Sequence, residues 1–449
     1  MPNPQATRLN DLLSQANPSL LELLSKRGKD IFWPAEGILK QSAEAKDTRY
    51  NATVGIATED DRSAMTTPSL GKEFGNDPGL FPYAPSFGLQ PLREKWQEQM
   101  LAKNPSLEAE KITLPVVTGG LTHGLSVAAS LLMDPGETLI LPDKFWGNYK
   151  LIFQHGFGAE FVPFSFLKPD VSKEDGAFDL EAFETTLVQT PGKKIVLLNT
   201  PNNPTGYSPT TGEATEIVEI LKRSAEKEPL AVICDDAYWG LVYEEGIQRE
   251  SLFSALASAH PNLLAVKIDG ATKEEFSWGL RVGFVTVGNA AMNPLAADAI
   301  EQKLGGTVRS QVSNCSRPGQ TAILKALNSP TYEREKQRNF DVLKTRAKRC
   351  REVLEQGAET FDPYFKPLPF NSGYFLCVEL QEGLNAENVR QKLLKEFDTG
   401  VIATGNLLRI AFSSVAESEI ETIFENISQA CQALANTSGK PDERQNSLF

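Results

Sequence analysis

Three features of the sequence predict an α/β fold built on a mostly parallel sheet. Between residues 112 and 287, short apolar segments alternate with stretches of helical spacing. The polar motifs of the chain fall just after those segments, at the strand ends where such sheets bind ligands. The 449 residues, 41% of them hydrophobic, are enough for two or three domains with a large core.

In chain order, residues 1–50 carry short apolar-periodic pieces at 9–13 and 20–24 and a helix pattern at 38–45, which together predict an arm and part of a smaller domain. Residues 51–57, NATVGIA, read as extended, and 59–62 as a charged loop. The stretch 78–88, rich in Pro, Gly and aromatics, reads as irregular, and 91–101 as an amphipathic helix. The strand candidates are 112–117, 138–141, 159–164, 195–198, 230–234, 263–268 and 282–287. A helix is expected at 121–133, and Ala214, Ile217, Val218 and Leu221 mark another. A larger domain is expected over 51–330 and a smaller one over 331–435. The latter opens on a long charged helix at 331–357, has strands at 374–380 and 407–412, and closes on a helix faced by Ile420, Ile423, Phe424, Ile427, Cys431 and Leu434. The tail 436–449 is polar and reads as disordered.

Composition narrows the function. A formal net charge of −13 argues against a nucleic-acid partner. Five scattered cysteines fit a reduced, cytoplasmic protein. Three histidines make a histidine-based metal site unexpected, so no metal is predicted. No apolar run reaches the ~20 residues of a membrane span, and no secretory leader is evident.

The chemistry gathers around 269–283, DGATKEEFSWGLRVG. Lys273 follows a strand candidate; a lysine there can form a Schiff base with an aldehyde if its site lowers its pKa. Arg281, eight positions on and bracketed by Gly279 and Gly283, can fork onto a phosphate. A phosphorylated aldehyde, pyridoxal phosphate, satisfies both; a solvated Lys-Glu-Glu loop is the plainer alternative. The octet NTPNNPTG at 199–206 forms a proline-rich loop in which Asn203 can donate to a phenolate-like oxygen. Asp235, in ICDDAYWG, can hold a protonated pyridine nitrogen, with Asp236 the rival carboxylate. Tyr238 can reach the same oxygen as Asn203. Gly119–Thr122 can present free amides to a phosphate, Trp146 can stack on a flat ring or fill the core, and Arg409, between apolar neighbours, requires a partner such as a substrate carboxylate.

In combination these residues resemble the fold-type I pyridoxal-phosphate aminotransferases of the aspartate/aromatic class, over about 51–434. The resemblance implies a large domain with a mostly parallel seven-stranded sheet plus a smaller α+β domain. It implies Lys273 as the Schiff-base lysine and, with Asp235 and Tyr238, the catalytic set. Gly120, Leu121, Thr122 and Arg281 would hold the phosphate, with Thr272 a compensating candidate for the serine absent at 270, Asn203 and Tyr238 the ring oxygen, and Trp146 the ring face, with Tyr149 behind Asp235. Tyr83 would reach the phosphate of a partner subunit. Arg409 would hold the substrate α-carboxylate, and Asn203, Trp146 and Gly55, the last in a loop closing over the substrate, would border it. Arg309, in VRSQVSN, matches an arginine given by the partner to a side-chain carboxylate; an interface or surface arginine is the alternative. One position departs from the pattern: Gly270 stands where a phosphate-binding serine is usual.

The resemblance thus implies a cytoplasmic homodimer with shared active sites, moving an amino group from an acidic or aromatic L-amino acid to a 2-oxo acid. A carbon–sulfur lyase or decarboxylase on the same fold is the next reading, and a cofactor-sensing regulator a remote one.

Overall fold

The computed structural model describes residues 4–32, 78–169 and 176–438. The expected helix at 38–45, the extended stretch 51–57 with Gly55, the loop 59–62 and the end of the tail lie outside the described residues.

The larger sheet has seven strands: β1 (Val116–Thr118), β2 (Thr138–Pro142), β3 (Glu160–Phe164), β4 (Lys194–Asn199), β5 (Leu230–Asp235), β6 (Leu263–Gly270) and β7 (Gly283–Gly288). Their order is β1-β7-β6-β5-β4-β2-β3. Neighbours run parallel except β7, which is antiparallel to both β1 and β6. The reversal has a local cause. Between β6 and β7 lies only a turn with one short 3-10 element, Trp278–Leu280, and no crossover helix that would return the chain in parallel. Lys273 and Arg281 both sit in that turn.

Strands β4, β5 and β6 are buried throughout, so their side chains alternate between two cores. Ile195, Leu197, Ile233 and Val266 face the first, with the helices Leu121–Leu132 and Pro294–Val312. Val196, Leu198, Val232 and Ala265 face the second, with the helices Leu180–Gln189 and Thr211–Ala225. The strand expected at 112–117 is shorter and later than predicted. Pro115 has no N–H for the ladder, and Ile112 keeps only an isolated bridge to Gly288.

The amino-terminal pieces differ from the expected arm and smaller-domain part. Leu9, Leu13, Leu20, Leu23 and Leu24, on or beside the helices Pro4–Ala16 and Pro18–Leu23, are buried in the first core of the larger sheet. Such a leucine stripe needs an apolar face, and the helix Pro294–Val312 supplies it. Lys303 of that helix, itself buried, donates to the carbonyls of Gly28 (2.8 Å) and Ile31 (3.1 Å) and ties the segment down.

A second sheet holds β8 (Phe365–Pro367), β9 (Leu376–Leu380), β10 (Ile402–Thr404) and β11 (Leu407–Ile410), in the antiparallel order β10-β11-β9-β8. The helices Tyr332–Gln356, Ala386–Glu396 and Ile420–Ser438 pack on it around a third core. Strands β8 and β10, three residues each, are too short to show alternation in the sequence. On β11, Leu408 and Ile410 turn into this core, so the period of two sends Arg409 to the other face.

Candidate active site

A cavity of about 340 Å³ opens at the carboxyl ends of β4, β5 and β6 and beneath β11. Of the residues singled out in the sequence, it brings together Leu121, Thr122, Trp146, Asn203, Asp235, Tyr238, Thr272, Lys273, Arg281 and Arg409.

The amine of Lys273 lies 5.3 Å from the ring centre of Tyr238 and 5.8 Å from that of Tyr374. The Tyr374 hydroxyl donates to the Lys273 carbonyl (2.8 Å), which fixes the backbone of the turn. Burial and the neighbouring Arg281 push the Lys273 pKa down, Asp235 opposes them, and Arg409 adds to the fall. The amine is therefore neutral, and nucleophilic, at lower pH than an exposed lysine.

Arg281 has the left-handed φ of 54° and donates to the Trp278 carbonyl (3.2 Å). Its guanidinium comes so near Gly120 that a Cβ there would lie 2.3 Å from Nη2. Glycine at 120, with φ of 85°, is what permits this approach. Gly120 also caps the helix Leu121–Leu132, whose first amides point out of the helix without partners in it.

Gly270 has an equally physical reason. It pairs with Gly283 across β6 and β7, and a Cβ at 270 would lie 2.7 Å from both the Gly283 Cα and the Val282 carbonyl oxygen. A serine does not fit there. Two residues on, the Thr272 hydroxyl is buried, lines the cavity and has no hydrogen-bond partner. Gly270→Ser is accordingly expected to lower stability by about 1–3 kcal/mol, the usual cost of overpacking, without tightening cofactor binding. Urea unfolding together with a cofactor titration checks both halves.

The two aspartates after the β5 core part company. Asp235, the last residue of β5 rather than the first after it, lines the cavity and accepts from the Tyr149 hydroxyl and the Ala237 amide (3.2 Å). Burial raises its pKa to about 6, against the pull of the Tyr149 hydrogen bond and with the help of Asp236. Asp236 turns away. It pairs with the fully buried Lys267 and accepts from Ser251 (2.5 Å). Lys267 also lies 3.5 Å from Asp269, which accepts from the Trp96 indole (3.2 Å).

Asn199 positions the octet loop: its Oδ1 accepts from the Asn203 amide (2.7 Å) and its Nδ2 donates to the Asp235 carbonyl (2.8 Å). The Thr200–Pro201 bond is cis. Asn203 Oδ1 accepts from Arg409 Nη1 (3.0 Å), and the Arg409 guanidinium lies 4.2 Å above the Phe375 ring centre. Arg409 Nε is buried with no partner. Trp146 meets Tyr149 edge-on at 5.6 Å.

Tyr83 and Arg309 do not line this cavity. Tyr83 is 70% exposed, and its carbonyl accepts from Arg317 (3.1 Å). Arg309 is half-buried near the end of the helix Pro294–Val312. Sequence reasoning missed Phe375, Ala237 and the bridging role of Asn199. Asn199 opens the quoted octet, so its position was visible. Phe375 lies in an apolar strand pattern, where an aromatic beneath an arginine looks like any core residue.

Among the described residues, no group of three or more His, Cys, Asp or Glu side chains is arranged to hold a metal ion. Nor is any described helix long and apolar enough to cross a membrane.

Comparison with known proteins identifies the family. A family model described as aminotransferase class I and II matches residues 54–427. The aromatic-amino-acid aminotransferase 2 of Thermococcus litoralis is 24% identical over 431 residues, covering 94% of this chain and 96% of that protein. The cytoplasmic aspartate aminotransferase of Caenorhabditis elegans is 23% identical over 69% of this chain and 75% of its own. Among solved structures, an aminotransferase from Anaerococcus prevotii superposes with a TM-score of 0.69 at 23% identity, over 88% of this chain and 95% of that one. The α-aminoadipate aminotransferase of Thermus thermophilus, complexed with N-(5′-phosphopyridoxyl)-L-leucine, gives 0.66 at 20% identity, over 82% and 87%.

Proposed function

The chain belongs to the class I and II aminotransferases, and from that premise we propose that it moves the amino group of an acidic or aromatic L-amino acid to a 2-oxo acid, as a cytoplasmic homodimer with shared active sites. Its fold is that of the fold-type I transferases, and its cofactor is pyridoxal 5′-phosphate. The observation that carries the reading is the cavity itself, which joins a lysine of lowered pKa, a buried aspartate braced by tyrosine and an arginine with one partnerless nitrogen.

The residues present fit the cofactor. The orphaned Thr272 hydroxyl, the Arg281 guanidinium and the amides of Leu121 and Thr122 beside Gly120 form a donor set for a phosphate. Asp235 would hold the ring nitrogen, Asn203 and Tyr238 the ring oxygen, and Trp146 the ring face. When bound, pyridoxal phosphate supplies an aldehyde that takes up the amino group and a ring that draws electrons from the substrate α-carbon.

The remaining work falls to side chains. Arg409, steadied by Phe375 and Asn203, would fork onto the α-carboxylate and satisfy its buried Nε. Lys273 Nζ, its pKa lowered by burial and two nearby arginines, would accept the α-proton and return it on the other side of the exchange. Asp235 would keep a proton on the ring nitrogen facing it. Trp146, Tyr238 and Phe375 give the cavity its aromatic walls.

Tyr83 and Arg309 are assigned to the neighbouring site of a dimer, where Tyr83 would reach the phosphate and Arg309 a side-chain carboxylate. The placement of both outside the chain's own cavity supports this. Five free cysteines, all buried, suit a reducing cytoplasm.

A screen of single amino acids for conversion of bound cofactor to its amino form, followed by 2-oxoglutarate, tests the activity. No amino form with any amino acid would sink it. Arg309→Ala is expected to lower kcat/KM for aspartate and glutamate about ten- to a hundredfold, the cost of a lost charge-assisted contact. Phenylalanine and tyrosine should be nearly unaffected, whereas Arg409→Ala should impair every substrate. Mixed dimers of Lys273→Ala and Arg309→Ala chains should recover dicarboxylate activity at one site; failure despite proven exchange would remove Arg309 from the neighbouring site.

A further inference from the structure

The two residues after Lys273 are acids, and neither lines the cavity that Lys273 lines. Glu274 and Glu275, with side chains 9% and 5% exposed, meet two lysines instead. Lys336 Nζ lies 2.6 Å from Glu274 and 2.8 Å from Glu275; Lys103 Nζ lies 2.8 Å from Glu274 and 3.9 Å from Glu275. The Tyr332 hydroxyl donates to Glu275. Burial works against the charge of Glu274, but Lys103 and Lys336 outweigh it and hold its carboxyl down at about 2.

The partners come from both layers of the molecule. Lys103 ends the helix Gln90–Lys103, whose Trp96 and Met100 are buried in the cores of the larger sheet. Tyr332 and Lys336 open the 25-residue helix Tyr332–Gln356, whose Leu343, Ala347 and Cys350 lie in the core of the smaller sheet. Gly240, two residues after Tyr238, closes on Glu274 so tightly that a Cβ would lie 2.3 Å from its Oε1.

Burying four charges costs desolvation, and apolar side chains of similar volume commonly do as well for stability. Their place beside the reactive turn gives the cluster another role. We propose that Glu274 and Glu275, gripped by Lys336 and Tyr332, are positioning residues that set the Lys273 amine against the cavity and keep the charge around its turn balanced. Two acids and two lysines cancel. Without Lys336, a net negative charge stands one and two residues from Lys273. The groups facing the Lys273 amine are Asp235 at the end of β5, Tyr238 after it, Arg281 before β7, Tyr374 before β9 and Arg409 on β11. An added negative charge favours the ammonium, so Lys273 would keep its proton to higher pH.

The inference rests on Lys273 being the reactive lysine, which borohydride labelling of the unaltered protein tests by itself. Lys336→Met, Lys336→Arg and Tyr332→Phe are compared as full chains. Freed of cofactor, each is acetylated across a pH series, and the Lys273 peptide gives the titration midpoint of the amine. Loaded with cofactor, each gives kcat and KM. For Lys336→Met the midpoint should move alkaline by roughly 0.5–1 pH unit, and kcat should fall about tenfold with KM little changed. Lys336→Arg should restore both. Tyr332→Phe, which leaves the ion pairs in place, should shift the midpoint the same way by less, and carries the test if Lys336→Met does not fold. An unmoved midpoint in Tyr332→Phe or in a folded Lys336→Met overturns the proposal. So does an equal loss in the Met and Arg variants that tracks a lowered unfolding temperature.

Discussion

Lys273→Ala is expected to fold and to retain the cofactor only through its noncovalent contacts, while losing roughly 10²–10⁴-fold or more in rate, the usual contribution of a positioned base. The basis is geometric. Among the described residues Lys273 is the lysine that lines the cavity, its backbone is held by Tyr374, and burial and Arg281 lower the pKa of its amine. Borohydride reduction of the unaltered protein, followed by peptide mapping, should place the pyridoxyl group on Lys273. Label on Lys194, Lys267 or Lys303, the buried lysines among the described residues of the larger layer, would sink the assignment. The lowered pKa carries a sign that kinetics can read. The neutral amine persists to more acidic pH, so the acidic limb of the first half-reaction should lie below the ordinary lysine range.

Asp235→Asn and Asp236→Asn should separate sharply. The first removes the carboxylate that faces the cavity, and proton abstraction should slow by several powers of ten while cofactor still binds. The second leaves the chemistry in place and strips the buried Lys267 ammonium of its nearest partner, leaving Asp269 at 3.5 Å and the face of the Trp239 ring at 4.0 Å. Breaking a buried pair from one side costs about 3–5 kcal/mol, so Asp236→Asn should appear as a lower unfolding midpoint. Thermal unfolding alongside single-turnover rates checks both. If Asp236→Asn is the catalytically crippled variant and Asp235→Asn is mild, the roles are reversed.

The sequence by itself determined the α/β class, six of the seven larger strands to within a few residues, the long helix at Tyr332–Gln356 and most of the residues around the cavity. The reason is that these features are written locally. A buried parallel strand is an apolar run, a helix repeats every 3.6 residues, and the loops that carry chemistry follow the strands directly. The resemblance already chose Asp235 over Asp236. Only the tertiary structure showed that Asp235 lines the cavity while Asp236 turns to Lys267, because adjacent residues at a strand end face opposite ways and their partners, Tyr149 and Lys267, are remote in sequence. It also explained Gly270, whose missing side chain is demanded by Gly283 on the next strand. It moved residues 4–24 onto the larger core, since a short leucine stripe does not say which apolar face it will meet. And it put Phe375, the residue just before β9, beneath Arg409, a contact that follows from pairing β9 with β11, Cys377 opposite Arg409, which no spacing within either strand encodes.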